Sequence, residues 1–352
     1  MNALALQPLE VSVFATVPRL CLTALIVLTA AASVAVTQPR AQARAGQWQT
    51  LGDGQPPLPR HEHAYVKVGA RFYLLGGRGS QPVKPVEIFD PTTGAWSIGA
   101  APPIELHHFQ AVEVGGKIYV VGAMTGRFPA EPPAPDVHIY DPASDRWTKG
   151  PSVPENRRRG GAGVVVHDGE IFVVAGITNG HTDGHVVWLD AFNPATGTWR
   201  QLADAPRARD HFHAAVIDGK LYAVGGRRSS VATGQSFELT VPEVDVYDLA
   251  SATWSTLPPA SNLPTPRAGS TVAVLGGRLL VIGGESGTQR EAHAEVEALD
   301  PATGRWDALA PLGEGRHAMQ AIVHDGKVYV AAGSRTRGAT EITSQEVFTP
   351  AR

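Results

Sequence analysis

The sequence predicts an all-β protein made by using one small antiparallel unit six times. Three observations carry that prediction. The stretch Gly219-Lys220-Leu221-Tyr222-Ala223-Val224-Gly225-Gly226 has counterparts at 71–77, 117–123, 170–176, 278–284 and 327–333, spaced by about fifty residues. A two-residue turn stands before each copy, and a second turn leading into a tryptophan follows most of them. The 352 residues include 38 Gly and 28 Pro, with 43% hydrophobic and 18% charged, which suits short strands and turns around a real core.

Each unit opens with a strand of small and β-branched residues, such as Ala214-Ala215-Val216-Ile217. The turn after it is Gly115-Gly116, Asp168-Gly169, Asp218-Gly219, Gly276-Gly277 or Asp325-Gly326, with Gly69-Ala70 as the weakest copy. Such pairs tolerate the positive φ of a two-residue hairpin and so join antiparallel strands. The second strand carries an aromatic residue three positions before its terminal doublet: Tyr73, Tyr119, Phe172, Tyr222 and Tyr329, with Leu280 once. The doublet is Gly-Gly in three copies and Gly122-Ala123, Ala175-Gly176 and Ala332-Gly333 in the others, so small size is its minimum requirement.

A variable loop leads to a third strand and to turns beginning at Asp90, Asp141, Asn193, Asp248 and Asp300, each followed six residues later by Trp96, Trp147, Trp199, Trp254 or Trp306. Asp or Asn starts a tight turn through side-chain bonding, and a following Pro fixes φ. The tryptophan opens a fourth strand and is large enough to fill the space between neighbouring sheets. Doublets, aromatics and tryptophans are therefore read as structural.

The doublet, the spaced aromatic and the tryptophan after an Asp-Pro type of turn resemble the kelch repeat, over essentially all of 48–350. That resemblance implies four-stranded blades of a six-bladed β-propeller. The sixth unit ends at Val347-Phe348-Thr349-Pro350 without a tryptophan, whereas Gln47-Trp48-Gln49-Thr50-Leu51 matches Arg305-Trp306-Asp307-Ala308-Leu309. Residues near Trp48 are thus expected to supply the outer strand of the last blade and close the ring. The domains that follow are a leader or anchor at 1–36, a linker at 37–46, and a single propeller at 47–350.

Function is expected on the face that carries the loops after the doublets, which are long and unlike one another. Registering the units on their first hairpin aligns Arg60, Arg159, Arg209, Arg267 and Arg316, with Leu106 in the second unit. The next positions hold His61, His107 and His317 among smaller residues and Asp210, and those after them Glu62, His108 and His211. These side chains are expected around the channel mouth, where five arginines would focus positive potential and bind an anionic ligand. The kelch resemblance implies a competing role for the arginines, bonding to the carbonyls of an adjacent blade. The binding set is therefore Arg60, His61, His107, Arg159, Arg209, Arg267, Arg316 and His317.

No nucleophile–base motif, phosphate loop or recognised metal-ligand spacing is present, so no cofactor and no metal are expected despite the close pairs His61/His63, His107/His108 and His211/His213. Asp204, Asp210 and Glu155 read as ion-paired carboxylates. The leading function is a module for binding a protein or an anionic carbohydrate. The alternative is a carbohydrate-active enzyme: exported six-bladed kelch propellers include the sialic-acid mutarotases, which this chain resembles in architecture alone. Sugar ring opening needs one positioned acid and one base, and Glu62, His108 or His211 would serve. The resemblance to galactose oxidase likewise lies in the repeats, and its tyrosyl–cysteine copper chemistry is excluded because Cys21 is the sole cysteine.

Cys21 lies in the leader, where Arg19 precedes the uncharged run 20–36 and small residues at 33–35 and 41–43 suit cleavage. A cleaved export signal, giving a periplasmic or secreted protein, is expected over a retained membrane anchor. The formal net charge of −3 does not suit a general nucleic-acid binder. A monomer is the expected state.

Overall fold

The computed structural model describes residues 45–52, 57–128 and 131–351. The leader and most of the linker lie outside these residues. Among the described residues no helix is long and apolar enough to cross a membrane.

Six four-stranded antiparallel sheets make up the fold. Blade 1 contains His61–Val68, Arg71–Arg78, Glu87–Asp90 and Ala95–Ile98, hydrogen-bonded in that order. Blades 2 to 5 repeat the pattern, beginning at Val112–Val114, Gly163–His167, Ala214–Ile217 and Thr271–Leu275. First strands of successive blades pack against one another in a circle that the sixth and first blades complete. They are therefore innermost, as the register on the first hairpin requires.

Blade 6 takes Ile322–His324, Lys327–Ala331 and Gln345–Thr349 from the C-terminal region and Gln47–Thr50 from the N-terminal region. Trp48 pairs with Phe348, their rings 5.3 Å apart, and its indole N–H donates to the Ala310 carbonyl at 2.9 Å. Trp147, Trp254 and Trp306 donate in the same way to Ala100, Ala203 and Ser261 in the connection from the preceding blade. Each of these four tryptophans thus fills space and also ties its outer strand to a neighbour.

The doublets show why small residues stand there. Gly77 has φ +91°, and a Cβ on it would lie 2.7 Å from the His61 carbonyl oxygen. Its amide donates to the Leu106 carbonyl of blade 2 at 2.8 Å. Equivalent amides at Gly176, Gly226, Gly284 and Gly333 donate to the carbonyls of Arg209, Arg267, Arg316 and Arg60. The doublet is the clamp between blades, and a side chain would push the clamp open.

Candidate functional site

The five registered arginines are buried inside their own blades. Arg60, Arg159, Arg209 and Arg267 pair with Glu87, Asp190, Asp245 and Glu297 at 2.5, 2.6, 2.6 and 2.5 Å, and Arg316 pairs with Glu346. Each also donates an N–H to the carbonyl of the first doublet residue, as Arg60 does to Gly76 at 3.0 Å and Arg209 to Gly225 at 2.9 Å. The positive ring expected at the channel mouth is therefore a set of neutralised ion pairs, each completing a blade. Blade 2 has Leu106 for the arginine and His138 for the acid, a matched exchange within one blade.

Two residues further on, the chain forms a different ring. Glu62, His108, Gly161, His211, Gly269 and Ala318 all have left-handed φ, between +50° and +60°. Each amide donates to the carbonyl of the equivalent residue in the preceding blade: Glu62 to Ala318 at 2.7 Å, His108 to Glu62 at 3.1 Å, Gly161 to His108 at 2.9 Å, His211 to Gly161 at 2.9 Å, Gly269 to His211 at 2.6 Å and Ala318 to Gly269 at 2.7 Å. The six bonds close on themselves around the propeller axis. The left-handed conformation turns donor and acceptor along the ring. It suits Gly and is costly for other residues, and three of the four strained positions, Glu62, His108 and His211 but not Ala318, carry ionisable groups.

The ring brings Glu62, His108 and His211 together. His108 Nε2 is 3.3 Å from Glu62 Oε1, and the His108 and His211 rings are 4.8 Å apart across side-chain-free Gly161. His181, from the blade 3 loop, sits over both, at ring distances of 4.9 and 4.8 Å. Behind this trio, His181 Nδ1 meets Glu131, His211 Nδ1 meets Asp210, and His108 Nδ1 meets His107 Nδ1 at 2.5 Å. Burial holds His108 well below the ordinary imidazole range and brings His211 down to about 4, so both rings are neutral near pH 7. Burial, and after it the charge of Glu285, pushes the Glu62 carboxyl up to about 8.

Above the ring opens a cavity of about 690 Å³ between the loops, lined by His61, Glu62, His108, His181, Arg227 and Glu285 at its base and by Arg127, Phe128 and Phe237 higher up. On the side away from the imidazole trio, His61 pairs with Glu341 at 3.1 Å, and His317 Nε2 donates to the Thr336 carbonyl at 2.9 Å and lies 3.5 Å from Glu285. Of the predicted binding set, His61 lines the cavity, His107 and His317 stand behind its wall, and the five arginines are elsewhere. Asp210 lies 4.0 Å from the Arg227 guanidinium and 2.6 Å from His185, and accepts from His211.

Arg78, Arg227 and Glu285 were not among the sequence candidates, yet they share a register: each immediately follows a doublet. A second alignment on that position would have found them. Glu131 and His181 lie in loops of different length, where no repeat register reaches.

Comparison with known proteins places this architecture. The KLHDC2/KLHL20/DRC7 Kelch-repeats domain profile matches residues 108–333, and the Kelch motif profile matches residues 59–103. The chain is 30% identical over 330 residues to Kelch-like protein terF of Aspergillus terreus, covering 87% of this chain and 68% of that protein. It is 26% identical over 294 residues to human Kelch-like protein 23, covering 83% of this chain and 49% of that relative. A solved structure titled "Structure of YjhT" superposes with a TM-score of 0.68 at 18% identity, covering 84% of this chain and 96% of that one, and so shows the fold. The chain belongs to the kelch-repeat family of propellers, which are protein-interaction and ligand-binding modules.

Proposed function

We propose that this propeller binds a small, oxygen-rich anionic molecule of the sugar-acid type in the cavity above the left-handed ring. The observation that carries the reading is the shape: the hydrogen-bonded ring makes a cup of the axial channel, and about 690 Å³ suits a small ligand. Aromatic walls at Phe128 and Phe237 suit an apolar ring face, and the ionisable base suits carboxyl and hydroxyl oxygens. Arg127 supports the anionic character, since it makes no ion pair among the described residues and lines the cavity. A thermal-shift screen of sugar acids against neutral sugars tests this, because a ligand raises apparent stability by mass action. Stabilisation by sugar acids that Arg127→Ala abolishes is the expected result; equal shifts with neutral sugars, or none with either, would contradict it.

The Glu62–His108 contact of 3.3 Å favours a second reading, ring opening of a bound sugar acid by one acid and one base. Proton NMR would then show anomers equilibrating faster than in buffer, and His108→Ala would remove the acceleration. Export through the 1–36 leader belongs to the same proposal. A shorter exported form supports it, and a precursor-length band in washed membranes opposes it.

A further inference from the structure

The hydrogen-bond partners of the histidine trio fix where its ring hydrogens lie. Glu131 and Asp210 are carboxylates, so the Nδ1 atoms of His181 and His211 donate to them, and both Nε2 atoms point away from those partners. Those two Nε2 atoms face each other at 3.0 Å. His107 Nε2 donates to the Gly126 carbonyl at 3.0 Å, so its Nδ1 accepts from His108 Nδ1. That leaves His108 Nε2 as the acceptor nitrogen of its ring, 3.3 Å from Glu62 Oε1. Three ring nitrogens and a carboxyl group thus converge.

A cation resolves this arrangement. One ring nitrogen from each of His108, His181 and His211 lies within 4.8 Å of those from the other two. Two nitrogens bound at about 2.0–2.1 Å to one ion stand roughly 2.8–3.4 Å apart for bond angles between square and tetrahedral, which brackets the 3.0 Å His181–His211 separation. Carboxylates on the far nitrogens of metal-bound histidines fix tautomer and ring orientation, and Glu131 and Asp210 stand where that role requires. A Cβ on Gly161 would lie 3.7 Å from His211 Nδ1, so a side chain at that ring position would start against the His211 ring.

We infer that His108, His181 and His211 bind a divalent transition-metal ion of the zinc, cobalt, nickel or iron class, with Glu62 as a fourth oxygen donor and one side of the ion open to the loop-face cavity. Imidazole nitrogens with one carboxylate suit these ions over calcium or magnesium. The absence of a sequence spacing signal has a physical reason. The ligands come from two ring positions in blades 2 and 4 and one loop of blade 3, so proximity is created by the propeller and not by the local chain. The inference is independent of ligand binding in the cavity, because metal content is read with no organic ligand present.

The test uses the full chain purified without a histidine tag, stripped with a chelator, incubated with zinc or cobalt ions and desalted. Mass spectrometry should find about one equivalent of metal, and the cobalt form should show visible ligand-field absorption. His181→Ala, a loop change, should lose the metal while keeping the native circular dichroism, and His167→Ala on the opposite face should retain it. Glu131→Gln should weaken binding by about 10–100-fold by releasing the His181 ring. Less than about a tenth of an equivalent with zinc, cobalt, nickel and iron(II) alike, or equal loading of wild type and His181→Ala, would overturn the inference. If His181→Ala misfolds, His181→Gln and the wild-type cobalt spectrum decide instead.

Discussion

Two rings encircle the axis of this propeller, two residues apart in sequence and opposite in what they do. The outer one holds Arg60, Arg159, Arg209, Arg267 and Arg316, each buried and paired with an acid of the same blade. The inner one holds Glu62, His108 and His211 among Gly161, Gly269 and Ala318, in a backbone conformation that glycine would occupy at less cost. Charge in the outer ring is matched and silent. In the inner ring, ionisable side chains are placed against local backbone preference, and Glu62 and His108 line a cavity. Of the two features, strain at a polar residue is the better guide to function than the charge of a repeated arginine.

The comparison breaks most visibly in the outer ring. Arg267→Leu would leave the buried Glu297 without its cation and should cost about 3–5 kcal/mol, measured by denaturant unfolding. A loss near zero would mean that the ion pair does not hold the blade. Blade 2 already shows the alternative, with Leu106 opposite His138. Copying it as Arg267→Leu with Glu297→His should recover part of that loss, with a coupling energy of roughly 1–3 kcal/mol in a double-mutant cycle. Strict additivity would contradict the pairing. The inner ring should respond in the opposite sense. Glu62→Gly removes a left-handed side chain and should gain about 1 kcal/mol, whereas a clear loss of stability would assign Glu62 to the fold.

Much of the fold was legible because it repeats. The doublets, turns and tryptophans supply the same evidence in successive units, and the missing tryptophan of the last unit was answered by Trp48. The role of the arginines was legible too, at a position the first-hairpin register did not inspect. Three residues before the turn residues Asp90, Asn193, Asp248 and Asp300, and before Thr349 in the last blade, stand Glu87, Asp190, Asp245, Glu297 and Glu346. Reading those acids beside the arginines would have shown both partners of every buried pair. The imidazole trio was not legible in that way. His108 and His211 are registered, but His181 and its partner Glu131 come from loops whose lengths share no period, and it is the closed ring that sets the distances between them.

The central claim is that the inner ring's side chains serve the site and its backbone serves the fold. The most direct test is thermal unfolding of the triple variant Glu62→Gly, His108→Gly, His211→Gly. The six backbone bonds remain possible in that variant and three strained residues are relieved, so its melting temperature should equal or exceed that of the wild type. A melting temperature lower by roughly ten degrees, equivalent to several kcal/mol in a domain of this size, would show that these side chains hold the propeller together and would contradict the division of labour between the rings.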